Sequence, residues 1–339
     1  MAFENGRPVL ITAVHTEEEF DWSKPFDRAA TASSHLINLP RLQSIFSDWD
    51  AKPTYFVDFP ILKTREFDEY IIPEARKGHC EVASHLHPWV TPPFCEPVDN
   101  HHSFPGNLPE EVEYEKLATL TALLSEKVGI APRSYLAGRY GYGPNTGKSI
   151  SALGYRVDLS IVPRHDYSSQ GGPNYAAHNC TPLFDRENKI WRIPHTADYA
   201  GALSDVPVLH RLYRSPTATK LKVNSILSRL RILSRLRLSP EGFKLPHLKQ
   251  LTKAVLGRQE KVLILSFHSP SIKPKCTPYV RNAEELDEFL STLNAYYHFW
   301  RHSVGGSFMT VADVAEQLST SSSGGKESTG HDGIAGAQT

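Results

Sequence analysis

Four short strings hold the residues with chemical potential. The string His15-Thr16-Glu17-Glu18-Glu19-Phe20-Asp21-Trp22 sets one histidine and four acids close together. Carboxylates so crowded repel one another unless a cation compensates them, the ordinary alternative being a solvated loop. Ser84-His85-Leu86-His87-Pro88-Trp89 spaces two imidazoles at i and i+2. On extended chain those positions share a face, so His85 and His87 can ligate one metal. Ala137-Gly138-Arg139-Tyr140-Gly141-Tyr142-Gly143-Pro144 places an arginine among glycines that permit close backbone approach. Phe267-His268-Ser269-Pro270-Ser271 adds a late histidine. Singly, Arg139 reads as an ion-pair partner and His268 as a cap. Trp22, Trp89, Phe94, Tyr140 and Tyr142 flank these strings, as stacking walls for a sugar ring or as packing.

Each string follows a short apolar run of strand character. Such runs are Val9–Val14, Thr54–Val57, Glu81–Ser84, Ser134–Ala137, Val157–Ile161, Ile190–Ile193 and Val262–Phe267, with Phe308–Thr310 as a final candidate. Helical spacing fills Leu36–Asp48, Glu66–Lys77, Glu110–Lys127, Pro144–Leu153, Pro246–Leu256 and Ala283–Arg301. Gly78, Gly129, Gly154 and Gly257 stand as stops. The alternation predicts an α/β fold, a distorted (β/α) barrel of seven or eight parallel strands over residues 1–318. In such a barrel the strand ends meet on one face, which gathers the four strings.

Composition narrows the function class. Lys+Arg and Asp+Glu are both 37, which argues against nucleic acid as the main partner. No stretch approaches the roughly 18 apolar residues a membrane span needs, and the polar start lacks a signal-like apolar run. Four scattered cysteines fit reduced thiols, so a cytoplasmic location is expected. Residues 205–258 break the rhythm with 12 Lys/Arg against Asp205 and Glu241. Leu227, Leu230, Leu233 and Leu236 suggest one stripe of a basic amphipathic helix, a candidate contact for an anionic surface or a protein, or simply an outer helix with a solvated face. From residue 319 to 339 the composition predicts a disordered tail.

The order of acidic string, His85-Leu86-His87-Pro88-Trp89, Ala137-Gly138-Arg139-Tyr140-Gly141 and Phe267-His268-Ser269-Pro270-Ser271 resembles the polysaccharide-deacetylase family with the NodB-homology fold, and within it the WalW-like branch. The resemblance spans roughly Val9 to Gln317. It implies a divalent metal, zinc first, held by Glu17 (or failing it Glu18) with His85 and His87. It also implies that Arg139 orients the catalytic carboxylate and that His268 is the general acid. The chain departs from the pattern twice. His15 stands where the family places an aspartate base, and His85 and His87 are spaced more closely than the family's histidines. His15 then serves as base, as ligand, or as a mark of lost activity, with Glu18 a substitute base. The expected activity is removal of N- or O-linked acetyl groups from a carbohydrate. Alternatives are another metal amidohydrolase for a small amide, and a catalytically silent sugar-binding protein.

Overall fold

The computed structural model describes residues 6–21, 23–215, 218, 220, 223–230 and 232–323. The apolar runs form β1 (Val9–Thr16), β2 (Pro53–Val57), β3 (Glu81–Leu86), β4 (Ser134–Ala137) and β5 (Val157–Asp158). There follow β6 (Leu183–Asp185), β7 (Ile190–Arg192), β8 (Ala197–Ala200), β9 (Ser234–Arg237), β10 (Val262–His268) and β11 (Ser307–Phe308). Strands β10, β1, β2, β3, β4, β5 and β7 pair in that order, all parallel. The short β11 joins β1 in parallel, and β6 adds antiparallel to β7. The result is a curled α/β half-barrel, as the alternation predicted.

The period of two sorts each strand into an inner and an outer face. Val9, Ile11, Ala13, Phe56, Ala83, Leu136, Val157, Val262 and Ile264 share one core cluster inside the curl. Leu10, Val14, Tyr55, Val57 and Leu86 pack outward with helix residues such as Leu117, Leu124, Leu251 and Phe289. The gap between β7 and β10 has no continuous ladder. It is crossed instead by chain flanking the antiparallel pair β8–β9. Leu238 N donates to Thr196 O at 2.8 Å, Ser266 N to Leu238 O at 3.0 Å, and Ile264 N to Thr196 Oγ1 at 2.8 Å. These bonds satisfy backbone that an open edge would expose.

Helices fall close to their expected bounds, with informative exceptions. The helix Glu110–Val128 stops at Gly129, whose φ of 83° is a conformation that only glycine takes cheaply. Gly257, expected as a stop, is the last residue of the helix Leu245–Gly257, which Arg258 caps. The single basic helix through Leu227–Leu238 does not form. Helices Pro207–Arg214 and Val223–Arg229 give way to β9, where Leu236 is buried and Arg235 exposed, while Leu230 lies on the surface. Pairing with β8 overrides the helical spacing of the leucines, a long-range effect that local sequence does not record. Residues 319–323 are also helical, closing the helix Val311–Ser323, and the rest of the expected tail lies outside the described residues. That helix starts on the N-terminal ends of β2 and β3, where Val311 N donates to Thr54 Oγ1 and Ala312 N to Glu81 Oε2. It covers the face opposite the four strings.

Candidate metal centre and cavity

Inward registers continue past the strand ends into the site. After Ile11 and Ala13 comes His15, after Ala83 comes His85, and after Ile264 come Ser266 and His268. Glu17 and His87 follow one step further on. Glu17 Oε2 lies 3.2 Å from His85 Nε2 and 3.5 Å from His87 Nε2, and all three side chains are buried. His85 Nδ1 donates to the carbonyl of Leu136 at 2.9 Å. Its Nε2 is therefore a bare lone pair while the ring is neutral. His87 Nδ1 sits 2.8 Å from Glu18 Oε2, which leaves its Nε2 facing Glu17 in the same way. With both rings neutral, three acceptors converge without a donor between them, an arrangement that a shared proton or a cation would satisfy. Ligands about 2.1 Å from a common ion stand roughly 3.0 to 3.4 Å apart, so the donor set and spacing fit a divalent metal.

Electrostatics agree with that division of labour. Burial opposes ionisation of Glu17, but His268, His85 and His87 outweigh it and hold the carboxyl at about 2. Burial, with neighbouring imidazoles, lowers the pKa of His85 and His15 below the ordinary histidine value. Burial also lowers His87, with Glu17 and Asp58 opposing. Glu18 is pushed up to about 7 by burial, with Glu17 adding to the rise. Its oxygens are taken by His87 and by Trp89 Nε1 at 2.9 Å. Asp58, at the end of β2, is also raised by burial and by Glu18. Asp58 accepts from the Glu18 and Ile61 amides and completes the support behind His87.

His15 lies among rings, with centroids 4.7 Å from His268, 5.4 Å from His85 and 5.7 Å from His195. Its Nε2 is buried without a hydrogen-bond partner among the described residues. It also stands close enough to Glu17 and His268 to share an ion with them. His268 is backed by Glu241, which accepts from its amide at 3.0 Å and faces Nδ1 at 2.8 Å. Burial would lower the His268 pKa, but Glu241 and Glu17 together raise it.

A cavity of about 770 Å³ opens over these groups, lined by His15, Glu17, His85, His87, Arg139, Tyr140, Arg237 and His268 among others. Arg139 borders this cavity. Its guanidinium bonds Asn100, Ser103 and Gln170 and stacks 3.9 Å from the Phe104 ring, with no acid as partner among the described residues. Its positive φ of 53° on the Gly138–Tyr140 turn swings it towards the Asn100–Phe104 loop. Trp89 is 3% exposed and stacks on His87 at 4.3 Å, so it is a buried brace and not a substrate wall. Tyr142 packs under Arg192 at 3.9 Å, away from the cavity lining. Tyr140 does line it, while Trp22 lies outside the described residues. Lining aromatics that the strings did not single out are Phe20, Phe26, Phe104, Tyr167 and Tyr279.

No family sequence model and no curated protein sequence matches the chain. Solved structures do. A Mycobacterium smegmatis protein assigned as a polysaccharide deacetylase is 16% identical, with TM-score 0.51, over 95% of this chain and 94% of its own. A Pseudomonas aeruginosa PAO1 protein, likewise assigned as a polysaccharide deacetylase, is 15% identical, with TM-score 0.53, over 92% and 90%. The fold is that of the NodB-like polysaccharide deacetylases. Puue allantoinase shares this NodB-like fold at 14% identity and TM-score 0.53, over 92% of this chain and 89% of its own. No described helix is long and apolar enough to cross a membrane.

Asp58, Glu241, His195 and Arg237 are the site residues that sequence reasoning did not assign. Asp58 directly follows a recognised strand, a signal that was available. Glu241 and Arg237 sat inside the basic region and were masked by its charge. His195 continues the inward register of β7 through Ile193, and its Nε2 has no partner among the described residues.

Proposed function

We propose that this chain is a metal-dependent hydrolase that removes acetyl groups from a carbohydrate. One observation supports this above the rest: His85 Nε2 and His87 Nε2 converge within 3.5 Å of the carboxylate oxygen Glu17 Oε2 in the cavity lining. These three residues would hold the metal, zinc being the first candidate. Such an ion, when bound, acidifies water and polarises an acyl carbonyl.

The remaining steps belong to side chains. Burial and the neighbouring imidazoles lower the His15 pKa, which favours the neutral ring, and its Nε2, without a partner among the described residues, can take a proton from water. His268, whose pKa Glu241 and Glu17 raise against the effect of burial, can give a proton to the departing amine or sugar oxygen. Glu241 fixes which ring nitrogen faces the cavity. Arg139 has no carboxylate of the chain as partner among the described residues, and no step of the reaction is routed through it.

The test is metal content of the purified protein by elemental analysis, followed by acetate release from N- and O-acetylated sugars and from small amides. Stoichiometric metal with acetate release from sugars is expected. Turnover of small amides alone would transfer the reading to an amidohydrolase, and inability to take up metal would leave a silent sugar-binding protein.

A further inference from the structure

The cavity holds more positive charge than the proposed reaction uses. Arg237 lies on β9 and lines the cavity beside Tyr140 and His268. Its NH2 donates to the Tyr140 hydroxyl and, at 3.2 Å, to Ser266 Oγ, and its Nε has no partner among the described residues. Arg139 lines the same cavity and bonds only neutral oxygens, those of Asn100, Ser103 and Gln170. Neither guanidinium forms an ion pair with a carboxylate among the described residues.

The acids nearby are already committed. Glu17 faces His85 and His87, Asp99 accepts from His102, and Glu241 holds His268 and Ser271. Lys24, the other lining cation, pairs with Asp21 at 3.3 Å. A half-buried charge without a counterion is unfavourable, and desolvation brings Arg139 down to about 10, whereas Tyr140, Tyr167 and Glu241 raise Arg237 against its burial. Neutral hydrogen bonds and the Phe104 stack hold the Arg139 plane in place without cancelling its charge. Guanidinium groups fixed in this way bind planar or tetrahedral oxyanions through two parallel bonds.

We propose that the substrate carries an oxyanion, a carboxylate or a phosphate, bound by Arg237 and Arg139 while its acetyl group lies over Glu17, His85 and His87. This rests on the deacetylase reading for the reacting end only, because the anion site stands on its own residues.

The zinc-loaded full-length protein is titrated calorimetrically with inorganic phosphate and with malonate, beside Arg237→Gln, Arg139→Gln and the double variant. The double variant is expected to weaken binding about tenfold or more. A loss for phosphate alone assigns a phosphate group, and a loss for malonate alone a carboxylate. Equal binding by wild type and double variant, or no binding by wild type, overturns the proposal. Should Arg237→Gln fold poorly, Arg139→Gln decides by the same criterion.

A second arm compares acetate release from N-acetylglucosamine, its phosphate ester and N-acetylmuramic acid. Preference for an anionic member that vanishes in Arg139→Gln supports the site. Acetate released equally from all three by both proteins removes the anion site and keeps the deacetylase. No acetate from any, with arginine-dependent anion binding intact, removes the deacetylase reading and keeps the anion site.

Discussion

At the residue scale, the substitution of a histidine for the family's aspartate is the feature that the structure makes intelligible. A carboxylate beside Glu17 would add a second negative charge, whereas His15 is neutral and buried between three other imidazoles. We expect His15→Ala to lower kcat by about 10²-fold or more, the usual share of a general base, while zinc content stays stoichiometric. A folded variant without zinc would make His15 a ligand. His268 depends on Glu241 for its charge and its tautomer. Glu241→Gln should therefore move the alkaline limb of the pH–rate profile to lower pH, because the raised imidazolium loses a carboxylate that sustains it. Profiles of the two proteins that superimpose would exclude that coupling. His85, His87 and His268 were legible because each directly follows an apolar run. Arg139 was legible as a residue, but its neutral partners on the Asn100–Phe104 loop were not, since they depend on one positive φ.

At the element scale, strand registers place the chemistry and helix packing sets the stability. Glu113 stands in the first turn of the helix Glu110–Val128, is 1% exposed and accepts from Thr146 of the neighbouring helix Thr146–Ala152. Burial pushes its carboxyl up to about 7. The folded state then binds a proton between the unfolded value near 4.5 and about 7 that the unfolded chain has released. Stability contributed by this group falls as pH rises through that window, by an order of a few kcal/mol at most. Glu113→Gln should flatten the decline, read as the difference in melting temperature between pH 5 and pH 8. A wild-type melting temperature that rises across that interval as steeply as the variant's would contradict the assignment. The elements themselves were readable wherever hydrophobic period and breaker residues agreed, as in β1, β3 and the helix ended by Gly129. Strands β8 and β9 were not. Their sequences, Ala197–Ala200 and Ser234–Arg237, make sense only as partners across the barrel gap.

For the whole molecule, the proposed metal site joins segments distant in sequence. Glu17 extends from β1, His85 and His87 from β3, and His268 from β10, with Glu241 reaching in behind. An ion there binds the folded chain and not the unfolded one, so added zinc should raise the melting temperature. At a free concentration a hundredfold above Kd the gain is about 2.7 kcal/mol. Glu17→Gln should abolish the upward shift, and an equal shift in that variant would place the ion elsewhere. The opposite mouth is covered by the helix Val311–Ser323, whose first amides rest on Thr54 and Glu81, leaving one open face for substrate.

Alternating apolar runs, punctuated by glycine and proline, were enough to give the α/β barrel class and most of its strands, because burial on a fixed period is written locally. They also gave the chemical inventory of the centre. Which carboxylate meets the imidazoles, which one braces them, and where the two guanidiniums point depended on the curl of the sheet. Those relations arise between residues tens to hundreds of positions apart, where charge, burial and backbone φ act together and no local period carries them.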